Sequence, residues 1–223
     1  MSARRAVPEV IAIDGPSAAG KGTLAKRLAN HFGLACLDTG LLYRAVGTKV
    51  IRAGGDPTDG TAAVAAAKSL RYHDLEDPEL RSDEAAEAAS LVAAIPEVRR
   101  ALVDFQRHFA THPPGGAAGA VIDGRDIGTV VYPGADCKLF VTANVEVRAK
   151  RRLKELRERG ITRIYTRVLK DLKDRDARDS QRDVAPLRKA EDAFLIDTTE
   201  LDADEVFAAA LKLVDSRNRA GDV

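Results

Sequence analysis

Apolar positions along this chain follow two rhythms. Short runs rich in β-branched residues, EVIAIDG (9–15), LACLD (34–38), AVIDG (120–124), KLFVTA (138–143) and AFLIDTT (193–199), predict buried strands. Between them apolar residues recur every three or four positions: Leu24, Leu28 and Phe32 before Gly33; Leu41, Leu42, Ala45, Val46 and Val50 before Gly54 and Gly55; Val98, Leu102, Phe105 and Phe109 after Pro96. That spacing lines one face of a helix, and the glycines and the proline mark the ends. VEVRAKRRLKELRERG (145–160) and TRVLKDLKDRDARDSQR (166–182) predict two charged helices, and VFAAALKLV (206–214) a closing one.

Strands alternating with helices predict an α/β fold whose mainly parallel sheet is covered on both faces. Residues 56–95 interrupt that alternation. There the Ala-rich pieces TAAVAAAKSL and DEAAEAASLVAAI flank RYHDLEDPELRSD, an acidic stretch with little apolar content that is hard to place in a core. An insertion is the expectation, and PPGGAAG (113–119) reads as a loop.

With 223 residues, the chain fits one large domain, or one domain carrying an insertion. Its 35 basic and 34 acidic residues and 45% hydrophobic content exclude a disordered or nucleic-acid-coating protein. The charge is unevenly spread. Residues 56–97 hold three basic against ten acidic side chains, whereas 146–191 hold sixteen basic against nine acidic. The C-terminal third is therefore a candidate for holding anions, although two solvated helical faces of opposite sign would give the same counts.

Cys36 and Cys137 lie in strand-like segments, form neither a metal pair nor a disulfide framework, and are expected to be buried thiols. The four histidines are scattered without ligand spacing, so no metal site made of protein ligands is expected. MSARRAVPEV has no apolar h-region and no apolar stretch reaches the ~18 residues of a span, so a cytoplasmic protein with no membrane partner is expected. Aromatics make up only 4% of the chain and form no stacking platform, which argues against a nucleic-acid partner.

The first stretch that carries chemistry is GPSAAGKGT: Gly15, Pro16, Ser17, Ala18, Ala19, Gly20, Lys21, Gly22 and Thr23. Gly15 and Gly20 permit a tight path that turns backbone N–H groups inward, and with the following helix N-terminus they favour a polyphosphate. Lys21 adds an ammonium for the β and γ oxygens, as in a P-loop. The position after Lys21 usually carries Ser or Thr; here it is Gly22, and the hydroxyl arrives one residue late, as Thr23.

Two further stretches follow. In LDTGLLYR (37–44), Asp38 and Thr39 can cap a helix, with Tyr43 and Arg44 one turn later, where Arg44 could clamp an acceptor phosphate. As structure alone this is an N-cap with a surface arginine. In VIDGRDIGTVVYPGA (121–135) an apolar strand ends in Asp123, Gly124, Arg125 and Asp126, at the edge where open α/β sheets bind ligands.

The GKGT form resembles that of the nucleoside monophosphate kinases. With IDGPSAAGKGT, LDTGLLYR, AASLVAAIPEVR, DGRDIGTVV and KDRDARDSQRDVAPL in that order, the chain resembles the bacterial cytidylate kinase family from Val10 to about Thr199. The resemblance implies a P-loop NTPase-type three-layer fold with a parallel central sheet, a nucleoside monophosphate-binding insertion and a short helical lid. It divides residues 1–223, a single kinase domain, into a core (about 1–55, 96–150 and 166–223), an acceptor-binding insertion (about 56–95) and a lid (about 151–165). It further implies that Thr39, Ser90, Arg99, Asp126 and Arg182 surround cytosine, that Arg175 and Asp179 address the pentose, and that Arg44 and Arg125 bind the acceptor phosphate. Lys21, Arg125, Asp126, Arg151 and Arg175 would form the catalytic set, with Arg151 and neighbouring lid arginines reaching the donor phosphates. The implied partners are ATP, with Mg²⁺ held mainly by nucleotide oxygens and water, and CMP or dCMP. A monomer is expected.

The chain departs from the family where RYHDLEDPELRSDEAAE replaces a usual β-rich excursion, where Thr39 stands for a common serine, and where PPGGAAG looks long. A P-loop kinase for another acceptor (UMP, AMP or shikimate) shares the donor half, and a nucleotide-binding regulator without transfer activity stays open as well.

Overall fold

The computed structural model describes residues 9–220; the first eight and last three residues, which the sequence reading assigns to the domain, lie outside the described residues. Five strands, β1 (Val10–Asp14), β2 (Ala35–Asp38), β3 (Ala120–Gly124), β4 (Cys137–Thr142) and β5 (Phe194–Asp197), form one sheet in the order β2-β3-β1-β4-β5. β1 pairs in parallel with both β3 and β4, and β4 with β5. All five residues of β1 and of β3 are buried, which is why both strands read as unbroken apolar runs. Register places Asp14 opposite Gly124 on one side and Phe140 on the other, so the carboxyl ends of β1, β3 and β4 form one edge.

The chain divides into two compact units, Met1–Leu37 with Ala110–Val223, and Asp38–Phe109. In the first, α1 (Lys21–Phe32) and α8 (Ala203–Ala220) cover one sheet face, where Leu24, Leu28, Val206, Ala210 and Val214 meet Ile11, Ile13, Val121, Leu139 and Ile196. Fully burying each large aliphatic side chain contributes about 1.5–3 kcal/mol, so this layer holds the sheet edge in place. Helices α6 (Val145–Glu158) and α7 (Tyr165–Gln181) form a satellite pair around Leu153, Leu156, Val168 and Leu172.

The expected burial of Cys36 is wrong. Cys137 is buried, and desolvation pushes its thiol up to about 12, but Cys36 is exposed. β2 is an edge strand in which only Leu37 is fully buried. After β3, Ile127–Val131, to which the sequence pattern assigned no element, forms one turn of π-helix.

The second unit contains α2 (Thr39–Arg52), α3 (Gly60–Lys68), α4 (Asp83–Val92) and most of α5 (Pro96–Thr111). The acidic stretch between α3 and α4 forms two 3₁₀ turns, Tyr72–Glu76 and Pro78–Arg81, and buries Leu80. Its carboxylates are matched to α2: Lys49 meets Asp74 at 2.8 Å, and Arg52 meets Asp77 at 2.7 Å and Glu79 at 2.5 Å. α2 and α4 touch at Gly47, where an added Cβ would lie 2.6 Å from the Ala88 Cβ. Gly47→Leu should therefore force the helices apart and cost about 1–3 kcal/mol, read as a lower urea midpoint.

Candidate active site at the carboxyl edge of the sheet

The glycine loop leaves β1 in a conformation that few residues could adopt. Gly15 has φ 147° and a Cβ there would lie 1.9 Å from the Val141 carbonyl oxygen, so only glycine fits. Ala18 (φ 61°) and Gly20 (φ 94°) are also left-handed, and strain of this kind in a non-glycine residue persists where surrounding contacts enforce it. No side chain caps α1, and its first turn holds no acidic residue, so the donors at this helix start suit an anion.

Lys21 is buried; its Nζ donates to the Pro16 carbonyl (2.9 Å) and lies 3.8 Å from Asp123 Oδ1. A Cβ at Gly22 would sit 3.5 Å from Asp123 Oδ2, so glycine keeps the space before that carboxylate open. Two further carbonyls of the loop are held from a distance. Arg148 donates to Ser17 O (3.2 Å) while forming a two-pronged pair with Asp176 of α7 (2.7 and 3.1 Å). Thr198 donates its hydroxyl to Ala19 O (3.1 Å).

Beside the loop, β3 delivers Arg125 and Asp126. Arg125 Nε donates to Asp179 Oδ2 at 2.8 Å; Arg182 lies 3.8 Å from both Asp126 Oδ1 and Asp179 Oδ1, and donates to Ala185 O. Burial alone would raise the Asp179 pKa, but Arg125, Arg175 and Arg182 outweigh it and hold this carboxyl below the usual carboxylate range. Asp14, the last residue of β1, accepts from the Ile127 and Gly128 amides, each at 2.8 Å. Burial, opposed by those two bonds, pushes its carboxyl up to about 6.

The structure thus brings together the loop residues, Lys21, Arg125, Asp126, Asp179 and Arg182, with Arg175 near enough to Asp179 to depress its pKa. Arg151 is engaged elsewhere: it donates to Thr198 Oγ1 (2.8 Å) and to the Thr198 and Leu201 carbonyls (2.6 and 3.3 Å). Much of the basic excess on α6 and α7 is surface pairing at helical spacing, as in Lys154 with Glu158, Arg167 with Asp171 and Lys170 with Asp174. Asp14, Arg148, Asp176 and Thr198 were missed by the sequence reading. For Asp14 and Thr198 the available signal was a polar residue ending an apolar strand run.

In the second unit, Asp38 caps α2 through the Gly40 amide (2.9 Å), and Thr39 is buried behind it. Arg44 donates to Leu80 O (2.8 Å) and Ser82 O (3.2 Å). Arg99 lies 5.4 Å from the Tyr43 ring centre and donates to Ala93 O (3.3 Å). Ser90 Oγ is buried with no hydrogen-bond partner among the described residues. Among the described residues no group of three or more His, Cys, Asp or Glu side chains could hold a metal ion, and no helix is long and apolar enough to cross a membrane.

A glycine loop opening a helix at the carboxyl edge of a parallel sheet, with a buried lysine inside it, defines a P-loop phosphotransferase-type fold. Residues 11–216 match the cytidylate kinase family, and the chain belongs to that family. It is 62% identical over 208 residues to the cytidylate kinase of Paramagnetospirillum magneticum, covering 93% of this chain and 98% of that one. It is 57% identical over 215 residues to the cytidylate kinase of Methylocella silvestris, covering 95% and 98%. Among solved structures, an uncharacterised protein from Eubacterium ventriosum matches 93% of this chain and 98% of its own with a TM-score of 0.54 at 17% identity, a likeness of fold alone.

Because the folded pKa of Asp179 is depressed, its stabilisation is present above the ordinary carboxylate range and lost as pH falls through the folded value. Asp179→Asn should cost on the order of 3 kcal/mol near neutral pH, by leaving the arginines short of a partner. The gap to the parent should narrow in acid, as measured by urea denaturation across pH.

Proposed function

We propose that this chain transfers the γ-phosphoryl group of ATP to CMP or dCMP, releasing ADP and CDP or dCDP, in pyrimidine nucleotide metabolism. The observation that carries this reading is the placement, on neighbouring strand ends, of a phosphate loop with its lysine and of the Arg125–Asp126 pair tied to Asp179 and Arg182.

In this reading Gly15 through Thr23 hold the donor phosphates, and Lys21, Arg125, Arg151 and Arg175 spread positive charge over the moving group. Phosphoryl transfer runs nearly in line: an acceptor phosphate oxygen bonds to the γ-phosphorus as the bond to the β,γ-bridging oxygen breaks. The protein's part is to position two polyanions and stabilise charge. Arg151 would exchange its bonds to Thr198 and Leu201 for phosphate oxygens.

Asp126 takes the N4 amine of cytosine, and Arg182 serves an acceptor atom of the base, since a carboxylate accepts and a guanidinium donates. Uracil would set O4 against the Asp126 carboxylate, acceptor to acceptor. Asp179 and Arg175 address the pentose, and Arg125 the acceptor phosphate. For Thr39, Arg44, Ser90 and Arg99 a CMP contact rests on the family resemblance, and the buried unpartnered Ser90 hydroxyl suits such a role.

Mg²⁺ bound with ATP would neutralise β and γ oxygens. The loop fits an ion carried by nucleotide oxygens and water, with Thr23 exposed and Asp123 facing the gap left by Gly22. Segment 151–165 serves as a lid that excludes water, and segment 56–95 as the acceptor-binding insertion of a single kinase domain. We read the protein as a cytoplasmic monomer without nucleic-acid or membrane partners.

ADP release over a panel of acceptors tests this directly: CMP and dCMP should be preferred, and equal use of UMP would remove the cytosine assignment. Lys21→Ala should lower kcat by about 10²-fold or more, the scale of losing one group that stabilises transition-state charge. Asp126→Ala should raise the KM for CMP far more than that for ATP, and equal losses would place Asp126 on the donor side.

A further inference from the structure

Asp14 stands one residue before the phosphate loop, and its carboxylate is bonded to the turn that follows Asp126. Its side chain is nearly sealed from solvent, at 5% residue exposure. Both carboxylate oxygens are engaged: Oδ1 accepts from the Ile127 amide and Oδ2 from the Gly128 amide, each at 2.8 Å. These are the first two amides of the π-helical turn Ile127–Val131. The same turn closes back on Asp126, whose carbonyl accepts from Val130 (2.9 Å) and Val131 (3.1 Å). Gly128 packs closely here: a Cβ on it would lie 3.0 Å from Lys138 Cδ and 3.4 Å from Asp14 Oδ2.

Burial makes ionisation of this carboxyl harder in the fold than in the unfolded chain. Its folded pKa, about 6, lies above the ordinary value of 3.8, so ionised Asp14 is less favourable in the fold than in the unfolded chain. A group raised in this way contributes stability at low pH, and that contribution is lost as pH rises through the folded value. A buried carboxylate with both oxygens on successive amides of one turn has a geometric task.

We propose that Asp14 is a positioning residue for the acceptor: by holding the Ile127 and Gly128 amides it sets the backbone of the turn that orients Asp126, and so joins the start of the phosphate loop to base recognition. This rests on the reading of Asp126 as the group that receives the cytosine amine. The π-turn is the structural expression of that tie, consistent with the frequent placement of such turns at functional sites.

Charged groups facing Asp14 are Lys21 of α1 and Asp126 after β3; Lys138 of β4 lies beside Gly128 with its ammonium 2.8 Å from Asp192. Lys21 favours the ionised form of Asp14 and Asp126 opposes it. Protonation of Asp14 puts an O–H against one of two amide donors and loosens the turn, so CMP use should weaken as pH falls through about 6.

The test is Asp14→Asn in the full chain, which keeps the shape and replaces one acceptor by an NH₂ group. The KM for CMP should rise about tenfold, the scale of a lost buried hydrogen bond, and the preference for CMP over UMP should shrink. The KM for ATP should stay within about twofold, because uniform loss would mean general damage. The fall in kcat/KM for CMP below about pH 6 should be present in the parent and absent in the variant. An unchanged KM and preference for CMP, or equal rises in both KM values with a lowered Tm, would overturn the proposal.

Should the variant not fold, the Ile127 and Gly128 amide resonances of the unaltered chain serve instead. They should titrate together near pH 6, and flat profiles would overturn the proposal. An unaltered chain without CMP-dependent ADP release would remove the functional reading and this inference with it, whereas normal turnover with an unchanged CMP KM in the variant removes the inference alone.

Discussion

A loop that grips a polyphosphate must present its amides to the ligand, so its carbonyls need partners elsewhere. In this chain three of those carbonyls are held by side chains from three elements. Lys21 of α1 takes Pro16, Arg148 of α6 takes Ser17, and Thr198 after β5 takes Ala19. Together with Gly15, seated against Val141, these bonds hold the loop in its left-handed turns before any anion arrives. Such preorganisation lets charge stabilisation act without the protein rearranging at the moment of reaction.

Each holder is itself held. Arg148 is fixed by the two-pronged pair with Asp176, and Thr198 accepts from Arg151 while donating to Ala19. A hydroxyl that accepts from a cation and donates onward forms a polarised chain, stronger than separate bonds. Beside the neighbouring strand end, Asp179 of α7 gathers Arg125, Arg175 and Arg182, and three positive neighbours outweigh its burial. Both sets share one feature, a buried polar side chain fixed by more than one partner.

The strands and the phosphate loop were legible in the sequence because their causes are local. VIAID is buried on both faces and so is apolar throughout, and the Gly15, Gly20 and Lys21 spacing follows from the path of a few bonds. The π-turn was not legible. IGTVV has no unusual pattern, and its conformation is tied to Asp14, 113 residues earlier. Cys36 failed for a related reason, since an apolar run does not say that its strand lies at the edge of the sheet. Basic composition pointed to the α6–α7 region, but could not tell Arg148 and Arg151, bonded inward, from Lys154 and Arg167, paired on the surface.

The two inward arginines of α6 lie three residues apart, on its first two turns. Arg148 is bonded to Ala143, Ser17 and Asp176, and Arg151 to Thr198 and Leu201. The start of this helix is thereby riveted to the phosphate loop, while its far end carries mainly solvent-facing charge. Any sweep of the basic segment has its fulcrum at or beyond Arg151, and breaking the Arg151–Thr198 contact would shift that fulcrum one turn back, to Arg148.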